Sequence, residues 1–393
     1  MTGLDRPVLQ SLPLANFYFW YFAFVGVFGT YFALYLQSLG FAAAQIALLL
    51  SLQQLVRIAS PFLWGWVADR LRRRMPVIRA TLLLATLLFS LLLLFDGYLP
   101  MLVIFALMLT FWSAGLPLFE AIVIGAADGD AGRYARIRLW GSVGFIVAVL
   151  AAGSVLDRLA VSSLVWIILG LLAASTASAF LVTEKRATMT SAPNAAPIWP
   201  ILRQPPVMAL FIACFLMMAA QSATFVFYSI YMVDSGHSKS AVGILWSLGV
   251  IAEIGIFVSL PWLHARFTPF EMFAFSYGAT VLRFLLVGWF PEWFGVQAIA
   301  QTMHAFTFGT WHAAAMSMLY RLFPGQFATR GQALHTSFSF GLGGAVGGVG
   351  AGFAWSSVGP AWTFTVMACL ALAGGWVSWR WMRPIGSYHA GGS

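Results

Sequence analysis

From Leu82 to Phe95 the chain runs without a charged residue, and apolar stretches of this kind recur along its whole length. About twenty apolar residues are what a helix needs to cross the hydrocarbon core of a bilayer. A transmembrane barrel would alternate apolar and polar residues instead, and these runs do not. Taking charged and turn-forming segments as breaks gives twelve spans, at 12–36, 45–67, 76–95, 100–124, 137–156, 161–182, 206–232, 241–263, 269–290, 295–320, 332–353 and 360–382. Of the 393 residues, 61% are apolar and 8% charged. A soluble domain carries about 25% charged residues, so this chain cannot cover a water-soluble globule. A cytosolic enzyme is excluded, as is a disordered or fibrous protein. The expected class is an all-α integral membrane protein with twelve transmembrane helices.

The formal net charge of +9 does not point to nucleic acid here, because cytoplasmic loops of membrane proteins carry excess Lys and Arg. Arg70, Arg72, Arg73 and Arg74 follow span 2, and Arg133 and Arg136 follow span 4. Lys185, Arg186 and Arg203 follow span 6, Arg266 follows span 8, Arg321 and Arg330 follow span 10, and Arg380 and Arg383 end span 12. The opposite loops offer little beyond Arg158 and Lys239. Both termini are therefore expected in the cytoplasm, and the first span is too long for a signal peptide. Cys214 and Cys369 lie inside apolar runs and read as packing residues, with no disulfide and no metal site.

The longest connection, Thr183–Pro205, holds four prolines and divides the spans six and six. The expected organisation is a bundle over 1–182, a cytoplasmic linker over 183–205 and a second bundle over 206–393. An internal echo supports it: Gly65-Trp66-Val67-Ala68-Asp69-Arg70-Leu71 closes span 2 and Pro261-Trp262-Leu263-His264-Ala265-Arg266-Phe267 closes span 8. Arg57 and Glu253 stand equally far before these segments, one ionisable residue at the same depth of each second helix. Paired six-helix repeats are the plan of many secondary transporters.

An ionised side chain at mid-bilayer costs about 2.5–3.5 kcal/mol on insertion scales, so those that persist pair, line water or carry function. Glu253 and Arg283 fall in consecutive antiparallel spans at depths that long side chains can bridge, so an ion pair is expected; it serves either as a structural lock or as a proton- or substrate-exchanging site. Glu120 and Arg138 flank the loop between spans 4 and 5. They read as snorkelling interfacial residues unless Pro117 bends span 4 and turns Glu120 inward. Arg57 has no mate in its loop-linked neighbours and is expected to face a water-filled cavity.

In span 10, His304, Thr307 and Trp311 share a helix face, with His312 to one side. His304 and His312 lie about 12 Å apart along the axis, too far to share a metal. These histidines read either as hydrogen-bonded packing residues or as proton-bonding groups beside an aromatic wall, and His335 is a weaker case of the same kind. The glycines of span 11, Gly341, Gly343, Gly344, Gly347, Gly348, Gly350 and Gly352, read as close helix packing or as a bending gate. The aromatics of span 1 read as a lipid-facing belt near its ends and as cavity walls in the middle, Tyr31 among them. No P-loop, nucleophile elbow, HExxH or paired CxxC motif occurs, which argues against a pump or a membrane enzyme.

Gly65–Arg74, with Asp69, Arg70, Arg73 and Arg74, resembles the loop signature of the major facilitator superfamily, with Arg72 where a glycine commonly stands. The resemblance implies a gating role for these residues, Asp69 latching the two halves. Gly29-Thr30-Tyr31-Phe32, Phe119-Glu120-Ala121, Arg136–Gly144, His304–Phe308 and Arg330–Leu334 resemble the phenylpropionate permease family, related to the lactose permease branch, across essentially the whole chain. That likeness implies two six-helix bundles with pseudo-two-fold symmetry, substrate contacts at Glu120 and Arg138, and substrate binding and proton coupling at Glu253, Arg283 and His304. Three departures stand out. Thr307 replaces the coupling glutamate, Phe145 replaces the tryptophan that stacks on sugar, and span 7 lacks the branch's acidic residues.

The expected function is a proton symporter of the bacterial inner membrane for a small aromatic carboxylate such as 3-phenylpropionate, working by alternating access. Arg57, Arg138 and Arg283 outnumber Glu120 and Glu253 within the spans, so one arginine is left over if both carboxylates are paired, and a guanidinium clamps a carboxylate well. Proton coupling is assigned to Glu253, His304 and Arg283; substrate binding to Glu120, Arg138, Arg57, Phe145, Trp311, His312 and Tyr31; gating to Gly65, Asp69, Arg70, Arg73 and Arg74. No cofactor and no metal are expected, and the protein is read as a monomer. The alternatives are a sugar or nucleoside symporter and, in another class, a non-transporting sensor or scaffold.

Overall fold

A computed structural model describes residues 5–184 and 197–386, and the regular structure in it is helical. In chain order the helices are α1 Asp5–Ser38, α2 Ala43–Leu71, α3 Met75–Ser90, α4 Tyr98–Trp112, α5 Gly115–Ala127, α6 Ala131–Leu156, α7 Leu164–Leu181 and α8 Trp199–Leu202. They continue with α9 Pro205–Asp234, α10 Lys239–Arg266, α11 Pro269–Trp289, α12 Phe294–Thr302, α13 Trp311–Leu322, α14 Ala328–His335, α15 Gly344–Val358 and α16 Pro360–Gly386. Among the described residues, 11 helical stretches are long and apolar enough to cross a membrane. They match the expected spans except the one at 295–320. That segment is helical but irregular: it breaks at Met303 and is wound as a π-helix over Ala305–Thr310 between α12 and α13.

Other departures from regular helix have local causes. The span at 100–124 divides into α4 and α5 at Ser113–Ala114, because Pro117 lacks an N–H and its ring crowds the carbonyl four residues back. Thr110 O, near this break, accepts the Trp64 indole N–H at 2.7 Å, and Ser60 pairs with Ser113 beside it. A second π-helix covers Thr336–Gly343, ahead of α15.

The chain divides into two compact units. One comprises Met1–Phe41, Ala59–Ser191 and Ser238–Ile244; the other comprises Ala42–Ile58, Ala192–His237 and Leu245–Ser393. The units therefore differ from a clean cut at the expected linker: the first half of α2 groups with the second unit and the first turns of α10 with the first. Residues 185–196 of that linker, with Lys185 and Arg186, and the terminal residues 1–4 and 387–393 lie outside the described residues.

In the first unit α1 is the enclosed element, packed against α6 and α7. Its aromatics do not form a lipid-facing belt. Phe17, Tyr18, Tyr21, Phe24, Phe28, Tyr31, Phe32 and Tyr35 are all buried. Tyr21 stacks on Trp112 at 5.3 Å and Phe28 and Phe32 on Phe105, while Phe17 meets Phe119 in a tilted contact. These rings fill the space between α1 and the α4–α5 segment, and burying them supplies much of the unit's packing.

In the second unit α9 is the enclosed helix, against α15 and α16. The glycines of span 11 explain how closely it is approached. Gly343 and Gly347 meet Phe215 and Ala219 of α9, while Gly341, Gly344, Gly348 and Gly352 meet Ile58, Gln54, Ser51 and Ala47 of α2. Only Gly350 of the seven faces open space. Their role is close backbone approach, since a methyl group at Gly347 or Gly348 would overlap its neighbour. Large apolar side chains such as Leu94, Leu99 and Val258 remain exposed, which lipid tolerates and water would not.

Helix ends are capped by charged side chains. The Glu184 carboxylate accepts the N–H groups of Arg74 and Met75 at 2.8 and 2.9 Å, at the start of α3. Arg79 of α3 in return donates to the carbonyls of Ala179 and Val182 at 3.1 and 2.7 Å, at the end of α7. Asp157 accepts the N–H groups of Lys239 and Ser240 at 2.7 and 3.0 Å, where α10 begins. Partial burial alone would raise the Asp157 carboxyl; the hydrogen bonds from Ser240 and Lys239 outweigh it and hold the group below its usual value.

Candidate functional site

The densest polar cluster of the second unit centres on Arg283, a buried guanidinium with 1% of its surface exposed. α11 carries it into the bundle, where its Nη1 donates to Gln221 Oε1 at 3.3 Å, Thr307 Oγ1 at 3.1 Å and His304 Nδ1 at 3.2 Å. Nη2 donates to Gln301 Oε1 at 3.2 Å, and the Nε–H has no partner. Every group that receives a hydrogen bond from Arg283 is thus an uncharged acceptor: two amides, a hydroxyl and an imidazole. Gln221 is itself anchored, since its amide nitrogen donates to the Thr307 carbonyl at 3.2 Å. That carbonyl lies in the π-helix, where the widened turn frees backbone groups for outside partners.

The expected direct pairing of Glu253 with Arg283 takes a different form. His304 stands between them, with Nε2 3.8 Å from Glu253 Oε2 and Nδ1 3.2 Å from Arg283. The geometry fixes the tautomer. A guanidinium only donates, so Nδ1 must be the unprotonated acceptor, which leaves the ring proton on Nε2, facing the carboxylate. A methyl group added at Gly309 of the π-helix would come into ordinary contact with Glu253 Cγ.

The first unit holds a second cluster. Arg138 Nε lies 3.4 Å from Glu120 Oε1, and Tyr134 donates its hydroxyl to Glu120 Oε2 at 2.8 Å. The Arg138 guanidinium sits 4.2 Å from the centre of the Phe22 ring and 5.4 Å from that of Tyr18. Glu120 and Arg138 keep 23% and 34% of their side-chain surface exposed, so the pair is open on one side. α5, which begins after the break before Pro117, carries Glu120 to this position.

The remaining predicted residues are spread out. Phe145 packs near Gly26 of α1. Tyr31 is fully buried, and its hydroxyl donates toward the carbonyls of Val149 and Lys239, at 3.1 and 3.0 Å. It lies about 20 Å of helix away from Tyr18 and the Glu120 cluster. Arg57 is half-buried, in the part of α2 that groups with the second unit. Trp311 and His312 continue the span of His304; the His304 and Phe308 rings stack at 5.4 Å, and those of Phe308 and His312 at 6.2 Å.

In the α2–α3 loop Asp69, Arg70 and Arg73 are exposed, Arg74 and Gly65 half-buried, and Arg70 lies 5.8 Å over the Trp66 ring. Arg72 has φ +52°, the left-handed conformation that glycine adopts without strain. The loop therefore keeps the backbone of the signature although the glycine is gone.

Gln221, Gln301 and Tyr134 are site residues that sequence reasoning missed. The two glutamines are polar groups within apolar spans, a signal as plain as that of the histidines. Reading only ionisable residues passed over them.

Long apolar helices in two compact units, with polar clusters buried within them, are the features of a multi-pass membrane protein. The model of the MFS_1 like family matches residues 11–366, and the chain belongs to that family, within the major facilitator superfamily of secondary transporters. It is 31% identical over 381 residues to the "Probable 3-phenylpropionic acid transporter" of Escherichia coli (strain K12), a match covering 93% of this chain and 96% of that one. It is 26% identical over 332 residues to the maltose permease of Geobacillus stearothermophilus, covering 83% of each. Among solved structures, that of the nucleoside transporter NupG superposes with a TM-score of 0.82 at 17% identity, covering 95% of this chain and 99% of that one. At that identity the likeness speaks for the fold alone. These relatives are transporters and not enzymes.

Proposed function

We propose that the protein is a proton-coupled symporter of the bacterial inner membrane for a small aromatic carboxylate such as 3-phenylpropionate. It works by alternating access of two halves, 1–182 and 206–393, with both termini in the cytoplasm and Asp69 and its neighbouring arginines as the gate. The observation that carries this reading is Arg283: a buried cation whose own hydrogen bonds all end on uncharged groups, with one N–H left over. Burying a guanidinium is costly unless an anion joins it. A substrate carboxylate supplies that anion, and the planar donor fork of arginine suits it.

Proton coupling follows from the tautomer of His304. A proton added to the imidazole occupies Nδ1, which then has no lone pair for Arg283. A proton added to Glu253 removes the charge that orients the Nε2–H. Either event breaks one link of the Glu253–His304–Arg283 chain and alters how firmly Arg283 is held. Thr307, placed where the family's coupling acid stands, donates or accepts hydrogen bonds but carries no charge, so the proton falls to Glu253 and His304. The relative named for 3-phenylpropionic acid supports the choice of cargo.

The second reading, symport of a sugar or nucleoside, draws on the open Glu120–Arg138–Tyr134 cluster, which offers both donors and acceptors to a hydroxyl-rich neutral solute. Uptake of labelled 3-phenylpropionate into proteoliposomes under an inward proton gradient separates the two, with protein-free vesicles as the control because protonated aromatic acids cross lipid unaided. Saturable, gradient-dependent uptake is expected. Uptake no greater than in empty vesicles would overturn the aromatic-acid reading and turn the test to sugars and nucleosides.

A further inference from the structure

Tyr31 is predicted as a substrate contact, yet its hydroxyl is occupied by backbone. It carries one hydrogen and lies between two helix carbonyls, that of Val149 in α6 at 3.1 Å and that of Lys239 in α10 at 3.0 Å. Glycines let the two helices come this close. A methyl group added at Gly153 of α6 would lie 2.6 Å from the Tyr31 hydroxyl oxygen and 2.8 Å from the Lys239 carbonyl oxygen. One added at Gly243 of α10 would lie 2.5 Å from the same hydroxyl and 3.1 Å from the Val149 carbonyl oxygen. A side chain at either position would push the seam apart. Only the start of α10 takes part: Ser238–Ile244 group with the first unit, and the helix from Leu245 onward with the second.

Asp157, the residue after α6, closes the end of this seam. One carboxylate oxygen accepts the N–H of Lys239 and the other that of Ser240, while the Ser238 hydroxyl oxygen accepts the N–H of Ala241 at 3.1 Å. The first N–H groups of a helix have no partner within it and form the positive end of its dipole. On α10, two of the first three are thus satisfied by an anion from the other half of the sequence, and the Lys239 ammonium charge adds to the attraction. Asp157 is exposed, so water can replace it at both N–H groups when α10 leaves α6. The contact can therefore part without stranding these donors.

We infer that Asp157 and Tyr31 form the latch of an outer gate, holding the start of α10 against α6 while the transporter faces inward and releasing it when the transporter opens outward. This rests on the alternating-access reading, in which α6 and α10 belong to halves that must separate and the proposed orientation places this seam outside. Tyr31 then acts on the gate and not on the substrate.

The test is the distance between spin labels at Arg158→Cys and Glu292→Cys, exposed residues in the loops after α6 and α11. It is measured by double electron–electron resonance on the full-length protein in lipid nanodiscs, with Cys369→Ser removing the exposed native thiol. Gly153→Trp, for which the seam has no room, supplies the reference distance of the parted state. Asp157→Asn is expected to raise the ratio of parted to closed populations about 5- to 30-fold over the wild type, the loss of two exposed charge-assisted hydrogen bonds. Tyr31→Phe, which loses one neutral hydrogen bond, should raise it about 2- to 10-fold and carries the test alone should Asp157→Asn not fold. A parted population in Gly153→Trp with unchanged ratios in Asp157→Asn and Tyr31→Phe overturns the latch and leaves alternating access standing. One and the same distance in the wild type and all three variants overturns both.

Discussion

Arg283 shows how much a single residue's company matters. Its neighbours Gln221, Gln301, Thr307 and His304 share one cation among uncharged acceptors, and lysine cannot take over, because a single ammonium lacks the planar fork that reaches them together. Arg283→Lys is expected to weaken substrate binding about 10- to 150-fold, the loss of a charge-assisted bond worth about 1.5–3 kcal/mol, in a direct binding assay. Arg72 makes a different prediction. Its left-handed backbone costs about 1 kcal/mol in any residue but glycine, so Arg72→Gly should raise the thermal midpoint in detergent while Arg72→Ala should not. Charged residues inside apolar runs announce themselves in sequence, which is why Glu253, Arg283, Glu120 and Arg138 were all legible as candidates. What each one touches was not. The interposition of His304 depends on how the helices are rotated about their own axes, which leaves no trace in local composition.

The apolar runs made the helices the easiest part to read, because a helix must satisfy every backbone group inside lipid and needs a fixed length to do so. Pro117 likewise marked the break between α4 and α5. The π-helices left no such mark, since one extra residue per turn does not change which residues are apolar. Close packing of α15 on α2 was readable from its glycines, and it should be intolerant of bulk. Gly348→Leu, which meets Ser51, is expected to lower the melting midpoint by several degrees, an overpacking cost of about 1–3 kcal/mol. Gly350→Leu, pointing into open space, should leave it within a degree. The cap on α10 has a pH signature. Because the folded Asp157 carboxyl titrates below its usual value, its contribution to stability is complete above about pH 4 and fades as pH falls through the lowered folded value. The gap in midpoint between wild type and Asp157→Asn should therefore be steady from pH 8 to pH 5 and close in stronger acid.

At the scale of the whole molecule, membership of the MFS_1 like family and the spans agree on a secondary transporter, and composition alone had already removed the soluble classes. The grouping into units was less legible, because it follows contacts made partway along α2 and α10 and the linker's prolines say nothing of those. Glu253→Gln in proteoliposomes is expected to abolish gradient-driven accumulation while retaining exchange of labelled for unlabelled substrate, the outcome that sets a coupling residue apart from one needed only for folding. The uncharged company of Arg283 has one more consequence. If the cargo brings the anion that this guanidinium lacks, and one proton travels with it through Glu253 and His304, each cycle carries no net charge across the bilayer. Accumulation would then track the pH difference and stay indifferent to voltage: a potassium diffusion potential imposed with valinomycin would change neither the rate nor the final level of uptake, and the transporter would keep working in a cell whose membrane potential has collapsed.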